Sequence, residues 1–245
     1  MNPVDKRRRE FLGSAAAFAG AMIAPGVFLY DYANAKSPTE PASASVRWGM
    51  LIDTTKCASG CRECVDACNR ENGLPGTTRS TDSQWIRKVD LKDLRTGKAL
   101  SVPVMCQHCA EPPCVDVCPT GASFKRADGI VLVDRHTCIG CRYCMMACPY
   151  KARSFVHEPT TGQKPDVPRG KGCVEICTLC VHKVDLGGTP SCVEACAAAG
   201  HGAILFGDLN DPQSEIAKRI REVATVQLRA DLRTDNGVRY QGISG

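Results

Sequence analysis

Four runs of cysteine dominate the chemistry open to this chain of 245 residues, which carries 17 cysteines in all. The first run is Cys57, Cys61, Cys64 and Cys68, spaced C-x3-C-x2-C-x3-C. The second is Cys106, Cys109, Cys114 and Cys118, spaced C-x2-C-x4-C-x3-C and followed by Pro119. The third is Cys138, Cys141, Cys144 and Cys148, spaced C-x2-C-x2-C-x3-C and followed by Pro149. The fourth is Cys177, Cys180, Cys192 and Cys196, spaced C-x2-C-x11-C-x3-C. The third run matches, position for position, the bacterial pattern for thiolate ligation of [4Fe–4S] cubes, whose chemistry is one-electron exchange. Two residues between cysteines make a tight turn that brings both sulfurs to one cube and aims backbone N–H groups at it. Gly140 supplies a positive φ cheaply where the chain doubles back. The fourth cysteine of the run begins a helical turn that points away, toward a neighbouring cube. Pro119 and Pro149 lack an N–H and stop the preceding turn.

The elements that must hold these sulfurs are small. The C-x3-C segments open short helices, and runs such as Ile130–Val133 read as short strands. The fold expected is α+β, a doubled bacterial-ferredoxin-like fold binding four [4Fe–4S] clusters. Loops at 69–105 and 150–176 join its halves. Residues 46–105 with 160–210 form one half, 106–159 the other, and 211–245 a C-terminal helix and tail. Asp211-Pro212 reads as the N-cap and first residue of that helix, with Ile216, Ile220 and Val223 on one face. Two other uses of the cysteines compete. A disulfide framework fits an exported protein but not an odd count with dense C-x2-C repeats. Structural zinc calls for paired C-x2-C units with a longer gap between them.

Composition narrows the function. Apolar residues at 43% and charged ones at 23% exclude a mainly disordered chain and a membrane bundle, and 5% aromatics exclude a large aromatic core. The formal charge of +5 is scattered, with no basic tract beside stacking aromatics, which argues against a nucleic-acid partner. Four oxidised cubes at roughly −2 each with their thiolates would make it roughly −3. Phosphate loops, nucleophile elbows and paired carboxylates are absent from the sequence, so no catalytic residue and no small-molecule substrate of its own are expected. Lys56, Arg62, Arg142 and Lys183 lie next to cysteines and are candidates to raise cluster potentials. His108 and His182 are candidate donors to sulfur. Trp48, Trp85, Tyr143 and Tyr150 read as packing or as steps on an electron path. Cys173, in a Gly-rich loop four residues before Cys177, reads as a free thiol or a replacement ligand.

The segments from Cys106 to Ala122, from Cys138 to Tyr150 and from Cys177 to Lys183 resemble the four-cluster, ferredoxin-like iron–sulfur subunits of membrane-associated oxidoreductases. These subunits accompany dimethyl sulfoxide, nitrite, formate and hydrogen enzymes. Within that family the chain is most similar to the periplasmic iron–sulfur subunits of the DsrMKJOP complexes of sulfur metabolism. The resemblance implies four ligand sets: Cys57, Cys61, Cys64 and Cys196; Cys68, Cys177, Cys180 and Cys192; Cys106, Cys109, Cys114 and Cys148; and Cys118, Cys138, Cys141 and Cys144. It also implies two partners, a membrane quinone-interacting subunit and a periplasmic multihaem cytochrome c. The alternatives are service to a molybdenum reductase or a hydrogenase, or a free periplasmic polyferredoxin. The chain departs from the family pattern at the extra residue in Cys57-Ala-Ser-Gly-Cys61 and at Ala197 where Pro would follow Cys196; a three-iron cluster is open at those sets.

Residues 1–35 read as a twin-arginine export signal: Lys6–Arg9 form a basic region, Arg8-Arg9-Glu10-Phe11-Leu12 resembles the twin-arginine motif, and residues 11–30 carry no charge. Ala33-Asn34-Ala35 offers a signal-peptidase site. The competing reading is a retained membrane anchor. Residues 36–45 form a linker, and no later stretch is apolar enough to span a bilayer. The protein is therefore expected in the periplasm, held at the cytoplasmic membrane through partners or an uncleaved leader. N-terminal sequencing of protein from native membranes is expected to begin after Ala35; a chain beginning at Met1 would establish the anchor.

Overall fold

The computed structural model describes residues 41–76, 79–92, 94–95, 97 and 99–243. The leader over 1–35 and half of the linker lie outside the described residues. The fold is mixed α/β. Strand β1 (Trp48–Asp53) is followed by helix α1 (Glu63–Asn72), then strands β2 (Ile86–Lys92) and β3 (Ala99–Met105). Next come α2 (Pro113–Asp116), β4 (Ser123–Lys125), β5 (Val131–Val133), α3 (Tyr143–Ala147), β6 (Arg153–Phe155) and β7 (Val174–Ile176). The chain ends with α4 (Val181–Val184), α5 (Ser191–Ala198), β8 (Ile204–Asp208), α6 (Glu215–Glu222), β9 (Thr225–Val226) and β10 (Val238–Gln241).

β1 is an apolar run with Met50 and Ile52 fully buried, because it is paired on both sides. It lies antiparallel to β8 and parallel to β10, and β10 pairs antiparallel with β9 in turn. Three two-stranded hairpins, β2–β3, β4–β5 and β6–β7, complete the sheets. β2 and β3 occupy a stretch read from sequence as a loop. Arg87, Lys88, Asp90 and Lys92 mask the strand pattern of β2, whose distal half is exposed. Pro103 fits in β3 because a two-stranded ribbon leaves one side of each strand free of ladder bonds.

The helix lengths follow from what comes after each C-x3-C. Pro119 and Pro149 hold α2 and α3 to 4 and 5 residues. Ala197 lets α5 run on past Cys196, to a length of 8 residues. α1 is longer again and stops at Gly73, whose φ of 62° lets its N–H return to the Asn69 carbonyl.

The last helix starts later than its sequence suggests. Its N-cap is Ser214, whose Oγ accepts the Ala217 N–H at 3.2 Å. Asp211 instead closes the turn before it, accepting the N–H of Gln213 through Oδ1 at 2.8 Å. A hydroxyl two residues beyond Pro212 thus out-competes the Asp-Pro pair. Ile216 is fully buried beneath Gly207, where a Cβ would stand 2.9 Å from Ile216 Cγ2, so the foot of this stripe is covered intramolecularly. Among the described residues no helix is long and apolar enough to cross a membrane.

A close backbone approach lies where β1 meets the C-terminal segment. A Cβ at Gly49 would stand 2.5 Å from both the Gly237 carbonyl oxygen and Leu209 Cδ1. That carbonyl accepts the Met50 N–H at 3.0 Å. Gly49→Ala is expected to lower stability by about 1–3 kcal/mol, read as a fall in melting temperature; an unchanged melt would contradict this packing.

Candidate metal centre

α1 and α5 pack against each other and carry the first two sulfur sets between them. Each helix bears two cysteines four residues apart, hence on one face and a turn apart. Cys64 lies beside Cys57, Cys61 and Cys196, and these four line one small pocket. Cys68, one turn along, lies beside Cys177, Cys180 and Cys192, and those four line a second. Since Cys64 meets Cys196 while Cys68 meets Cys192, the helices run antiparallel.

α2 and α3 repeat the arrangement. Cys106, Cys109, Cys114 and Cys148 line a third small cavity. Cys144 lies beside Cys138 and Cys118 in the fourth set. Cys141, between them in the chain, is exposed. The sets stand in a row: Cys64 neighbours Cys192, Cys106 neighbours Cys177, and Cys114 neighbours Cys144. The row begins with Cys57 and Cys61 half-exposed and ends at Cys118, Cys138 and Cys141, while the cysteines of its middle sets are buried. The structure thus brings fifteen of these cysteines together in four groups, three of four and one of three.

The donor chemistry fits iron–sulfur cubes. All seventeen cysteines are free, and among the described residues no three ligand-type side chains converge as on a single ion. In three of the sets all four cysteines line a single pocket. Burial pushes the thiols of Cys64 and Cys109 up to about 11 and that of Cys177 up to about 12. Burial drives Cys68, Cys106 and Cys192 well above the ordinary thiol range, and neighbouring thiols reinforce it. Such thiols stay protonated at neutral pH unless cationic metal replaces the protons, so loading releases protons. Cys118 differs. Burial disfavours its thiolate slightly, but the N–H groups of Ser123, Thr120 and Ala122 and the Thr120 hydroxyl outweigh that and lower it.

N–H groups are aimed at the sulfurs. Ser123 N donates to Cys118 Sγ and Ala203 N to Cys196 Sγ, each at 3.3 Å. The turns that do this need left-handed residues: Gly140 has φ 71°, and a Cβ there would run into the Gly172 carbonyl. His108, Arg142, Leu179 and Cys180 adopt positive φ in the corresponding turns without being glycine. The extra residue of the first set is absorbed in a turn at Gly60, φ 76°, closed by Cys61 N to the Ala58 carbonyl.

The side chains closest to the sulfurs are not those adjacent to cysteine in sequence. Lys56 pairs with Asp53, Arg62 with Asp66, and Lys183 with Glu194, while Arg142 covers the Phe155 ring. His108 is buried with Nδ1 accepting the Val131 N–H, and His182 pairs with Glu71. Trp48 stacks on Phe206, and Trp85 is buried with its N–H directed to Glu175. The donors to sulfur are instead Lys88 Nζ to Cys57 at 2.8 Å, Arg153 Nη2 to Cys114 at 2.9 Å and Asn72 Nδ2 to Cys68 at 3.5 Å. Only Asn72, four residues after Cys68 on α1, carried a sequence signal. Cys173 hydrogen-bonds the Cys138 thiol and donates to the Arg135 carbonyl. The C-terminal segment closes the third set: Asn236 Oδ1 accepts from Cys109 Sγ at 3.7 Å and from the Tyr150 hydroxyl at 2.9 Å.

Sulfur cages of this kind on a small mixed α/β scaffold define a ferredoxin-like iron–sulfur protein. Residues 98–208 match the model of the 4Fe-4S dicluster domain. The chain is 42% identical to the Hdr-like menaquinol oxidoreductase iron-sulfur subunit 1 of Archaeoglobus fulgidus, over 98% of both chains. It is 39% identical to a tetrathionate reductase subunit of Salmonella typhimurium, over 89% of this chain and 80% of that one. It is 41% identical to the protein NrfC of Escherichia coli, over 77% and 78%. The chain belongs to the family of ferredoxin-like, [4Fe–4S]-binding electron-transfer subunits of membrane-associated oxidoreductases.

A cation hydrogen-bonded to a ligand sulfur favours the reduced, more negative state of the group it faces. Lys88→Met is expected to lower one reduction potential by about 59 mV, the equivalent of about 1.4 kcal/mol for one electron. A redox titration followed by electron paramagnetic resonance checks this, with iron content unchanged.

Proposed function

We propose that the sixteen cysteines hold four [4Fe–4S] clusters, one per set, and that the protein relays single electrons between two partners on the periplasmic side of the membrane. Bound cubes of this type supply one-electron exchange over potentials that the protein tunes. The single observation that carries the reading is the row of four sets, buried in the middle and open to solvent at both ends. A free carrier needs one opening; a relay needs two.

The two openings differ in kind. Around Cys57 and Cys61 the surface is polar and charged, with Thr55, Lys56, Ser59, Arg62 and Glu63 exposed. Around Cys138, Cys141 and Cys144 large apolar side chains stand out, with Ile139 67%, Met146 68% and Tyr143 55% exposed, beside exposed His136, Thr137 and Arg142. Permanent interfaces are the more apolar ones. In this reading the apolar end sits on a membrane quinone-interacting subunit and the polar end meets a soluble redox partner, a multihaem cytochrome c. Its setting is a sulfur-metabolism complex of the DsrMKJOP type. The resemblance to a menaquinol oxidoreductase subunit along nearly the whole chain supports a quinone-linked complex. Export by the twin-arginine route, which carries folded proteins, suits a chain loaded with clusters beforehand.

Gentle detergent purification from native membranes, with metal analysis and a reduced-minus-oxidised spectrum, tests the assignment. About sixteen irons per chain beyond the haem iron, with haem c bands, is the expected result. Molybdenum or nickel in place of haem would move the protein to a reductase or hydrogenase, and a soluble iron-containing monomer would make it a free carrier.

A further inference from the structure

Arg153 opens β6, where its pairing with Ile176 of β7 fixes the backbone and turns the side chain into the interior. It is 6% exposed. Nη2 donates to Cys114 Sγ at 2.9 Å and to Ser123 Oγ at 2.7 Å. Nη1 is buried and has no protein partner. Arg153 lines the third cavity and has Cys106 and Cys114 of the third set and Cys144 of the fourth as its strongest charge neighbours. Ser123 completes the link, since its backbone N–H donates to Cys118 of the fourth set. A guanidinium is always charged and cannot shed its proton to escape burial, and an orphaned donor in an interior costs free energy unless something outside the protein accepts its hydrogen.

We propose that Arg153 is a positioning residue shared by the third and fourth cysteine sets, its unpartnered Nη1 directed to the group they hold, so that one cation sets the reduction potentials of two adjacent clusters together. This rests on the reading of four clusters. A charge between two acceptors stabilises an added electron on either, which raises both potentials. The first set has its own cation in Lys88, and the second has Asn72 at Cys68 and Lys183 near Cys180, whereas the cysteines that act most strongly on Arg153 all belong to the third and fourth sets, so its effect is confined to one half of the row.

The test is a redox titration of the purified, cluster-loaded protein, followed by electron paramagnetic resonance, with Arg153→Met and Arg153→Lys beside wild type. Arg153→Met is expected to lower the reduction equilibrium constants of two couples at least tenfold each, about 59 mV for one electron, leaving the others within threefold. Arg153→Lys is expected to recover more than half of each loss. Shifts in one couple only, in none, or equal losses in the Met and Lys variants would overturn the proposal. If Arg153→Met fails to retain iron, Arg153→Lys against Arg153→Gln makes the same comparison, a terminal donor with and without charge; equal potentials there would also overturn it. Iron and spin quantification of the wild type tests the cluster count separately, so the two ideas fail independently.

Discussion

The two sulfurs of each helical C-x3-C segment go to different cages: on α1, Cys64 lies beside Cys196 and Cys68, one turn along, beside Cys192. Every other feature of the architecture answers that constraint. Each helix must serve two cages, and each cage must take its fourth sulfur from a helix of another run. Antiparallel packing of α1 on α5, and the contact of α2 with α3, satisfy both demands at once. Reciprocal exchange ties residues 57–68 to residues 177–196, so the chain has to return across its own middle before either the first or the second cage is complete.

The thiol cages take the place that large side chains fill in most domains. With few aromatic residues to pack, the interior is lined by cysteine, small aliphatic side chains and turns whose N–H groups face inward. Twelve of the seventeen cysteines are buried. Burial alone makes their thiolates unfavourable, and like charges in each cage add to this. Metal loading is therefore coupled to the fold: it supplies the positive charge that lets the cages ionise and stay dry.

How much of this was legible follows from the range of the physics involved. Ligand spacing, the stops at Pro119 and Pro149 and the positive φ of Gly140 are local, and they stood in the sequence. The longer run of α5 follows as simply from Ala197. The cations at sulfur were not legible, because Lys88 and Arg153 reach Cys57 and Cys114 across 31 and 39 residues of chain. Charge adjacency pointed instead to Lys56, Arg62 and Lys183, whose partners are carboxylates. β10 was missed although Val238 and Tyr240 alternate with Arg239 and Gln241. Four residues are too few for a period of two to stand out, and the strand's reason for existing is β1, nearly two hundred residues away. Ser214 prevailed over Asp211 as a helix cap by the placement of Ile216 against Gly207, a tertiary choice no local motif encodes.

β10 and Asn236 also have a place in time. The ribosome makes both after every cysteine, yet they complete the central sheet along β1 and close the third cage over Cys109. During synthesis there is thus an interval in which all sixteen paired thiols have been made and one wall of their housing has not. Iron delivered in that interval meets open cages, whereas iron delivered later must pass a finished sheet. The order of residues along the chain doubles as a schedule for maturation.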